Sequence, residues 1–392
     1  MCFERSFCTA PQCSPSRASL HTGRYPHTTG VLGLAHAPFG WRLDPSERHF
    51  ARILGEAGYS TSLIGMQHLI ERDSAHELGY QQVAPVMPAH EEAEVAIAQL
   101  RELSDLEAPF YLEVGFEEPH RPYDFGGAKP DNSRGVAIPP YLPNTSEAQV
   151  DFAAFQGAIR QMDDGVGRIL AAVDELGLAD DLLVVFATDH GSAMPRAKCT
   201  LYDPGIEVAL LLRYPAAGLA NGRVLSELVS NVDVVPTLLE ALGLPLPSNL
   251  HGRTLWPLLR GACYVPREEI FAEKTYHTHY EPMRAIRTDR YKLIVNLEVG
   301  LRFDVPGDIL ESPILPLMIP RMLGPRPPLE LYDLERDRWE ETNLADTPEV
   351  AEVQADLRAR LLRWMEETED PLLRGPVRSP YLTDALARLR SP

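Results

Sequence analysis

Three short polar stretches place histidines and a carboxylate directly after apolar runs of the sequence. His68 comes soon after YSTSLI, His120 after FYLEVGF, and the pair Asp189 and His190 after LLVVFA. Imidazole and carboxylate groups can hold a divalent cation or move protons. A lone histidine is usually a structural residue, but three at equivalent places predict a shared site. The segment CSPSR, residues 13–17, lies far upstream, and the strand pattern alone does not show whether it belongs to this site.

The sequence between these stretches predicts the elements that position them. Apolar residues at helical spacing mark 44–58, 91–103 and 150–176 as helices. Short continuous apolar runs predict strands, with sequences YSTSLIG, PFYLEVGF, DLLVVFA and VALLLRYP. Such alternation is typical of an α/β fold with a mostly parallel sheet and helices on both faces. Ligands of these sheets bind beyond the carboxyl ends of the strands, where the polar stretches lie.

The pattern changes after residue 262. AIRTDRYKLIVNL and LELYDLERDRWEETNLADTP predict antiparallel strands with turns, and PEVAEVQADLRARLLRWMEE predicts a closing helix. A segment rich in Pro and Leu, 303–329, is predicted to be a long connection. We therefore predict a catalytic domain over 1–262 and a smaller C-terminal α+β domain over 263–392.

Composition bounds the class of function. The chain has 392 residues, of which 44% are apolar, and a formal net charge of −19. That charge disfavours a nucleic-acid partner, because a phosphate backbone attracts basic surfaces. The apolar stretches predict neither a membrane-spanning helix nor an N-terminal signal peptide. The five cysteines lack zinc-site spacing, so metal binding by thiolates alone is not expected.

The segment CSPSRASLHTGR, residues 13–24, resembles the signature C-x-P-S-R-x-x-x-x-T-G-R of the sulfatase family, in the alkaline-phosphatase-like superfamily. The resemblance extends along most of the chain and is nearest to the heparan N-sulfatase (sulfamidase) branch. GAIRQMDDGVG, EPHR, YEPMRAIRTDRYKLIVNL and ETNLADTP carry it. The family implies a hydrolase that releases sulfate, as in glycosaminoglycan degradation, and a sulfatase-like α/β fold.

The resemblance implies roles for five catalytic residues. Cys13 would be oxidised to formylglycine, by a formylglycine-generating enzyme or an anaerobic sulfatase maturase. One hydroxyl of the formylglycine hydrate attacks sulfur, and deprotonation of the other expels sulfate. Arg17 would hold the hydrate, and His68 would contact it. His120 would bind the sulfuryl group or protonate the leaving atom, and Lys198 would bind sulfate.

A metal site and a substrate pocket are also implied. Asp189 and His190, with residue 13, would bind a divalent cation, which is Ca²⁺ as usual in the family, or else Mg²⁺. His277, His279 and Arg284 resemble a segment that lines the pocket of sulfamidases. A His-x-His pair in a loop is also commonly solvated, so direct contact with a sulfated sugar stays an open alternative.

Two departures from the family pattern affect the expected activity. Met66 stands where the family has a lysine, which weakens charge stabilisation. Sulfatases also have an Asp-Asp strand upstream of the signature, whereas Glu4 is the sole carboxylate before Cys13. We therefore expect an N-terminally truncated sulfatase that binds metal poorly and turns over slowly or not at all. For the sequence from Met1 onward, the expected compartment is the cytoplasm. If a signal peptide lies upstream, the expected compartment is the periplasm or the exterior of the cell.

Three alternatives remain open from the sequence. The chain resembles other O-sulfatases and the phosphonate or phosphodiester hydrolases of the same superfamily, which share the modified cysteine and the metal. It could also be an inactive remnant that binds glycans. The exact substrate, the metal and the oligomeric state stay open.

Overall fold

The computed structural model describes residues 1–220, 222–300 and 305–390. The strands are β1 (Cys2–Phe3), β2 (Ser6–Phe7), β3 (Ser60–Gly65), β4 (Gln82–Ala84), β5 (Phe110–Gly115), β6 (Val184–Ala187), β7 (Leu210–Arg213), β8 (Val224–Leu225), β9 (Val229–Ser230), β10 (Glu269–Tyr276), β11 (Tyr280–Thr288), β12 (Tyr291–Asn296) and β13 (Leu329–Asp333). The α-helices are α1 (Cys13–Thr22), α2 (Pro26–Thr29), α3 (Phe50–Glu56), α4 (Ala89–Ser104), α5 (Ser146–Glu175), α6 (Asp203–Ile206), α7 (Val234–Ala241), α8 (Trp256–Leu259), α9 (Leu315–Met322), α10 (Ala351–Glu367) and α11 (Pro380–Arg390). None of these helices is long and apolar enough to cross a bilayer.

The N-terminal part of the chain has the predicted α/β class. Its sheets have the strand orders β6-β7-β1-β8, β4-β3-β5 and β2-β9. Strand β3 runs parallel to β4 and β5, β1 to β8, and β2 to β9. Strand β7 runs antiparallel to both β1 and β6. The run VALLLRYP is therefore a strand, as predicted, but not a parallel one, because apolar content does not encode strand direction.

Two strands at the centre of the predicted fold are less covered than their sequences suggested. Within the described residues, β5 pairs with β3 alone and β6 with β7 alone. Most residues of β5 and every residue of β6 are half-buried. Each of these strands therefore has one edge without a neighbouring strand among the described residues, which accounts for its partial exposure. An apolar run predicts that a strand is buried, but it does not predict how many strands pair with it.

The long helix α5 begins slightly before the predicted residue 150. The Thr145 hydroxyl accepts a hydrogen bond from the Ala148 amide at 3.4 Å and so caps the helix. Gly157 lies against the main chain of Lys129, where a Cβ would lie 1.9 Å from the carbonyl oxygen. The helix therefore packs closely on the loop that follows the His120 stretch.

The C-terminal part is an antiparallel sheet in the order β10-β11-β12-β13, covered by α10. Phe271, Ile286 and Leu293 of the sheet form a buried core with Leu361 and Trp364 of the helix. This arrangement agrees with the predicted α+β unit, although the boundary at 262/263 stays a prediction. The segment 303–329 also contains α9, which the Pro-rich sequence did not indicate.

Buried ion pairs join the sheet to the N-terminal part. The fully buried Lys292 ammonium of β12 lies 2.5 Å from Asp203 Oδ1 and 2.7 Å from Glu340 Oε1. Arg287 of β11 donates to Asp203 Oδ2 at 2.9 Å. Buried charges are tolerated when paired in this way, so these contacts fix how the two parts pack.

Acid is expected to weaken this junction. Burial raises the pKa of Asp203, but Lys292 and Arg287 outweigh it and lower the pKa from 3.8 to about 2. A carboxyl whose folded pKa is depressed contributes stability above its unfolded pKa, which is lost as pH falls through the folded value. We expect Asp203 to contribute about 2 kcal/mol at neutral pH that disappears between about pH 4 and pH 2. Urea unfolding across this range should show a smaller acid loss in Asp203→Asn, and an equal loss would contradict the assignment.

Candidate active site

Helix α1 begins at Cys13, so the first amide groups of the helix, which have no acceptor within it, lie at this residue. Pro15 lies in this turn, where the lack of an N–H breaks no helical hydrogen bond. Gly23 ends the helix in the left-handed region, at φ 69°, and a Cβ there would lie 2.8 Å from Leu250 Cδ2. The CSPSR…TGR pattern thus encodes a short helix with a proline in its first turn and a glycine at its end.

Asp189 and His190 follow β6 and face α1. The Cys13 Sγ lies 3.2 Å from His190 Nε2, and Arg17 Nε donates to Asp189 Oδ2 at 3.0 Å. The His190 Nδ1 lies 2.7 Å from the Gly191 carbonyl oxygen, which leaves Nε2 as the nitrogen facing the sulfur. The structure therefore brings these four predicted residues together.

Electrostatics at this cluster favour charged forms. Burial opposes ionisation of the Cys13 thiol, but Lys198 and His190 outweigh it and hold its pKa well below the usual value. Burial lowers the pKa of His190, yet Asp189 and Cys13 outweigh it, so the net shift is upward. Burial likewise opposes ionisation of Asp189, while His190, Arg17 and Lys198 lower its pKa strongly. These shifts favour the charged forms of the Cys13 thiol and the His190 imidazole.

Lys198 and His120 form the other side of the site. The Lys198 Nζ lies 3.2 Å from His120 Nε2 and donates to Asp308 Oδ2 at 2.6 Å. The loop carrying Lys198 is tied to the segment before α1, since the Cys199 amide donates to the Pro11 carbonyl at 2.8 Å. Lys198 is buried, so its ammonium is not a solvated surface charge. Asp308 was not predicted as a site residue.

His68 lies near the thiol, as expected for its role. It adopts φ 57°, its Nε2 lies 2.7 Å from His36 Nδ1, and its side chain interacts with Cys13. His36, which the sequence did not predict as a site residue, thus lies beside His68 at the edge of the site. Met66 supplies no positive charge, but its carbonyl oxygen accepts a hydrogen bond from Arg17 Nη1 at 3.3 Å.

The three predicted substrate residues separate in the structure. His277 is buried near Lys198 and Cys13; burial and Lys198 lower its pKa to about 3. His279 is exposed, and its carbonyl accepts a hydrogen bond from the His277 amide at 3.3 Å. Arg284 is fully buried and paired with Asp370, its Nε donating to Oδ2 at 2.6 Å.

The Arg284 prediction is therefore corrected. The other two guanidinium nitrogens of Arg284 donate to the carbonyls of Lys274 and Met283 and to the Thr275 hydroxyl. No N–H of Arg284 is therefore free to bind a sugar. Arg284 instead holds the C-terminal segment on the sheet. The side chain also neutralises a buried cluster of possible metal ligands, which consists of His27, Glu273 and Asp370.

The ligands expected for a divalent cation are present in part. Cys13, Asp189 and His190 offer one sulfur, one carboxylate oxygen and one imidazole nitrogen within 4.8 Å of one another. Calcium prefers roughly six to eight oxygen ligands. The described residues thus fit a cation through three donors and do not complete a calcium site.

Gly191 is expected to be needed for the position of Asp189 and His190. A Cβ at Gly191 would lie 1.9 Å from the Pro204 carbonyl oxygen, so Gly191→Ala must displace the loop. We expect a loss of about 1–3 kcal/mol in unfolding free energy and of about 100-fold in kcat/KM. Gly167→Ala is the matched control, because that exposed position of α5 has open space. Similar melting temperatures and rates for the two variants would contradict this account.

The fold and this cluster define a hydrolase whose reactive side chain begins a helix at the carboxyl ends of the strands. The chain belongs to the sulfatase family: the family model Sulfatase matches residues 1–244. A second model, N-sulphoglucosamine sulphohydrolase, C-terminal, matches residues 196–304. Sulfatases generally use formylglycine and a divalent metal.

Individual relatives agree with this assignment. The chain is 29% identical to human N-sulphoglucosamine sulphohydrolase over 95% of its own length and 84% of that protein. Among solved structures, a 2-O GAG sulfatase superposes with a TM-score of 0.73 at 21% identity, covering 97% of this chain and 86% of the other. A protein in complex with its substrate D-glucosamine-2-N,6-O-disulfate gives a TM-score of 0.69 at 17% identity, with 94% and 91% covered. The last two similarities concern the fold alone.

Proposed function

We propose that this sulfatase hydrolyses the N-sulfate of a glucosamine at the non-reducing end of a heparan-type sugar. The observation that carries the proposal is the cluster in which Cys13 lies 3.2 Å from His190 and near Lys198. The similarity of residues 196–304 to the C-terminal part of N-sulphoglucosamine sulphohydrolase supports the choice of sugar. We further propose that a formylglycine-generating enzyme or an anaerobic maturase converts Cys13, and that Ca²⁺ or Mg²⁺ serves as the cation.

The chain's own residues bind and orient the sulfamate. The amide groups at the start of α1 attract the anion, and Lys198 and Arg17 add positive charge near Cys13. Formylglycine at position 13 would supply the nucleophile, and a bound cation would polarise the sulfuryl oxygens.

His120 is placed to protonate the leaving nitrogen. Its Nδ1 lies 2.5 Å from the Arg121 carbonyl oxygen, an arrangement that puts a proton on Nδ1. The Nε2 therefore faces Lys198 and the open side of the site. A second proton on Nε2 makes His120 an imidazolium, and only this form can act as the acid. As the sulfur–nitrogen bond breaks, nitrogen keeps the bonding electron pair and takes that proton, which leaves His120 neutral with its proton on Nδ1.

Three other functions fit the same fold and cluster. An O-sulfatase is one of them, and the 2-O GAG sulfatase shows that the same fold can carry that reaction. The incomplete set of metal ligands favours a chain that binds a sulfated glycan without turning it over. A phosphonate or phosphodiester hydrolase shares the same type of chemistry.

A substrate panel separates these functions. Protein co-expressed with a maturase would be given N-sulfoglucosamine, glucosamine 6-sulfate and a phosphonate monoester, with calcium, magnesium or manganese added after chelation. We expect kcat/KM for N-sulfoglucosamine to exceed the others by at least about tenfold. Faster release of sulfate from the 6-O ester would refute the proposed substrate. Tight binding without release of sulfate or phosphonate product would favour the glycan-binding alternative.

A further inference from the structure

Asp308 reaches the site from the other part of the chain. It lies in the connection between β12 and β13 and begins a short 3-10 helix, Ile309–Glu311. One carboxylate oxygen, Oδ1, accepts from the Ile309 amide at 3.1 Å, which fixes the side chain. The other, Oδ2, accepts from Lys198 Nζ at 2.6 Å and lies 3.5 Å from His120 Nε2. Oδ1 thus caps the short helix, while Oδ2 faces the site.

This carboxylate stands where the site otherwise attracts anions. The side chains of Lys198 and Asp308 are 2% and 11% exposed, so water screens their pairing weakly. Burial opposes ionisation of Asp308, but Lys198 and His120 outweigh it and lower its pKa, so it is a carboxylate at neutral pH. A bare anion that approaches Lys198 must therefore compete with Asp308 and is repelled by it.

A sugar can offset that repulsion. The N–H and O–H groups beside a sulfated atom of glucosamine are hydrogen-bond donors, and a carboxylate accepts such bonds strongly. Inorganic sulfate has no such donor at neutral pH. A site with a fixed acceptor discriminates against ligands that leave the acceptor unpaired.

We propose that Asp308 is a specificity-determining residue, whose carboxylate accepts a hydrogen bond from a sulfated sugar and disfavours bare anions at Lys198. The proposal rests on the proposed function for the identity of the sugar. It assigns a selective role to a residue outside the sulfatase signature and outside the set of possible metal ligands.

Isothermal titration calorimetry of the full chain, expressed without a maturase so that residue 13 stays a cysteine, tests this role without turnover. Inorganic sulfate and N-sulfoglucosamine would be titrated into the wild-type protein, Asp308→Asn and Glu311→Gln. Asparagine keeps the helix cap, and the exposed Glu311 is a matched control for loss of one negative charge on the same turn. We expect the wild-type preference for the sugar over sulfate to fall about tenfold in D308N and to stay unchanged in E311Q.

A preference ratio that is unchanged in D308N overturns the proposal, whether both affinities rise or both fall. A wild-type protein that prefers inorganic sulfate also overturns it. The proposed function fails separately: matured wild-type protein that binds N-sulfoglucosamine but releases no sulfate from it would refute that function and leave the role of Asp308 standing. Melting curves of each variant confirm that the folded protein is titrated.

Discussion

Cys13→Ala is expected to abolish sulfate release while the protein stays folded. Alanine cannot be converted to formylglycine, so the hydrolase loses its nucleophile and the step that regenerates it. We expect kcat/KM to fall by about 10⁴-fold or more, as for other enzymes that lose a covalent nucleophile. Sulfate release from N-sulfoglucosamine would be followed for both proteins after identical maturation.

A second cysteine provides the control. Cys263 is exposed and lies outside the site, so Cys263→Ala should keep the wild-type rate. The small change at Cys13 leaves the contact of Ser14 Oγ with the Ala35 amide in place, and similar melting temperatures would exclude misfolding. Wild-type turnover by the Cys13→Ala variant would remove residue 13 from the mechanism.

Lys292→Met should give the largest loss of stability. Burial raises the pKa of Glu340 to about 7 and Asp203 adds to that shift, while Lys292 opposes it. Without the ammonium, Asp203 retains Arg287, but Glu340 loses its cationic partner in a fully buried place. Breaking a buried pair on one side costs about 3–5 kcal/mol, because Glu340 must then either keep an unpaired charge or take up a proton. The free energy of unfolding in urea is the measurement.

Lys129→Met is the matched control for that substitution, since the Lys129 side chain is exposed. It should change the unfolding free energy by less than about 0.5 kcal/mol. A loss of similar size in both variants would mean that the two parts of the chain are not held together by Lys292. A double variant that also carries Glu340→Gln should recover part of the stability, because it removes the unpaired carboxyl charge.

The residues that form the site were predictable where they follow a local pattern. Cys13 and Arg17 lie one helical turn apart, and Asp189 and His190 follow an apolar strand. A strand end is a position in the topology, so the sequence places these side chains at one edge of the sheet. The structure brings them within hydrogen-bond distance of one another.

Other features depend on contacts between distant segments. Asp308 meets Lys198 across 110 positions of the chain, and no local pattern marks it. Arg284 was assigned to the sugar because of the segment around it, but its partner Asp370 lies 86 positions away. The half-buried state of β5 and β6 likewise depends on neighbouring strands rather than on their own composition. All three features are therefore set by contacts between segments that lie far apart in the sequence.

Peptide mass spectrometry tests conversion at position 13 most directly. Trypsin releases residues 6–17, which contain both Cys8 and Cys13. Cys8 lies in the same peptide but outside the CSPSR segment, so it serves as an internal control that should remain a thiol until alkylation. After co-expression with a maturase and alkylation of the denatured protein, we predict an aldehyde at residue 13 and an alkylated thiol at residue 8. Two alkylated thiols, under conditions that convert a known sulfatase, would contradict the account.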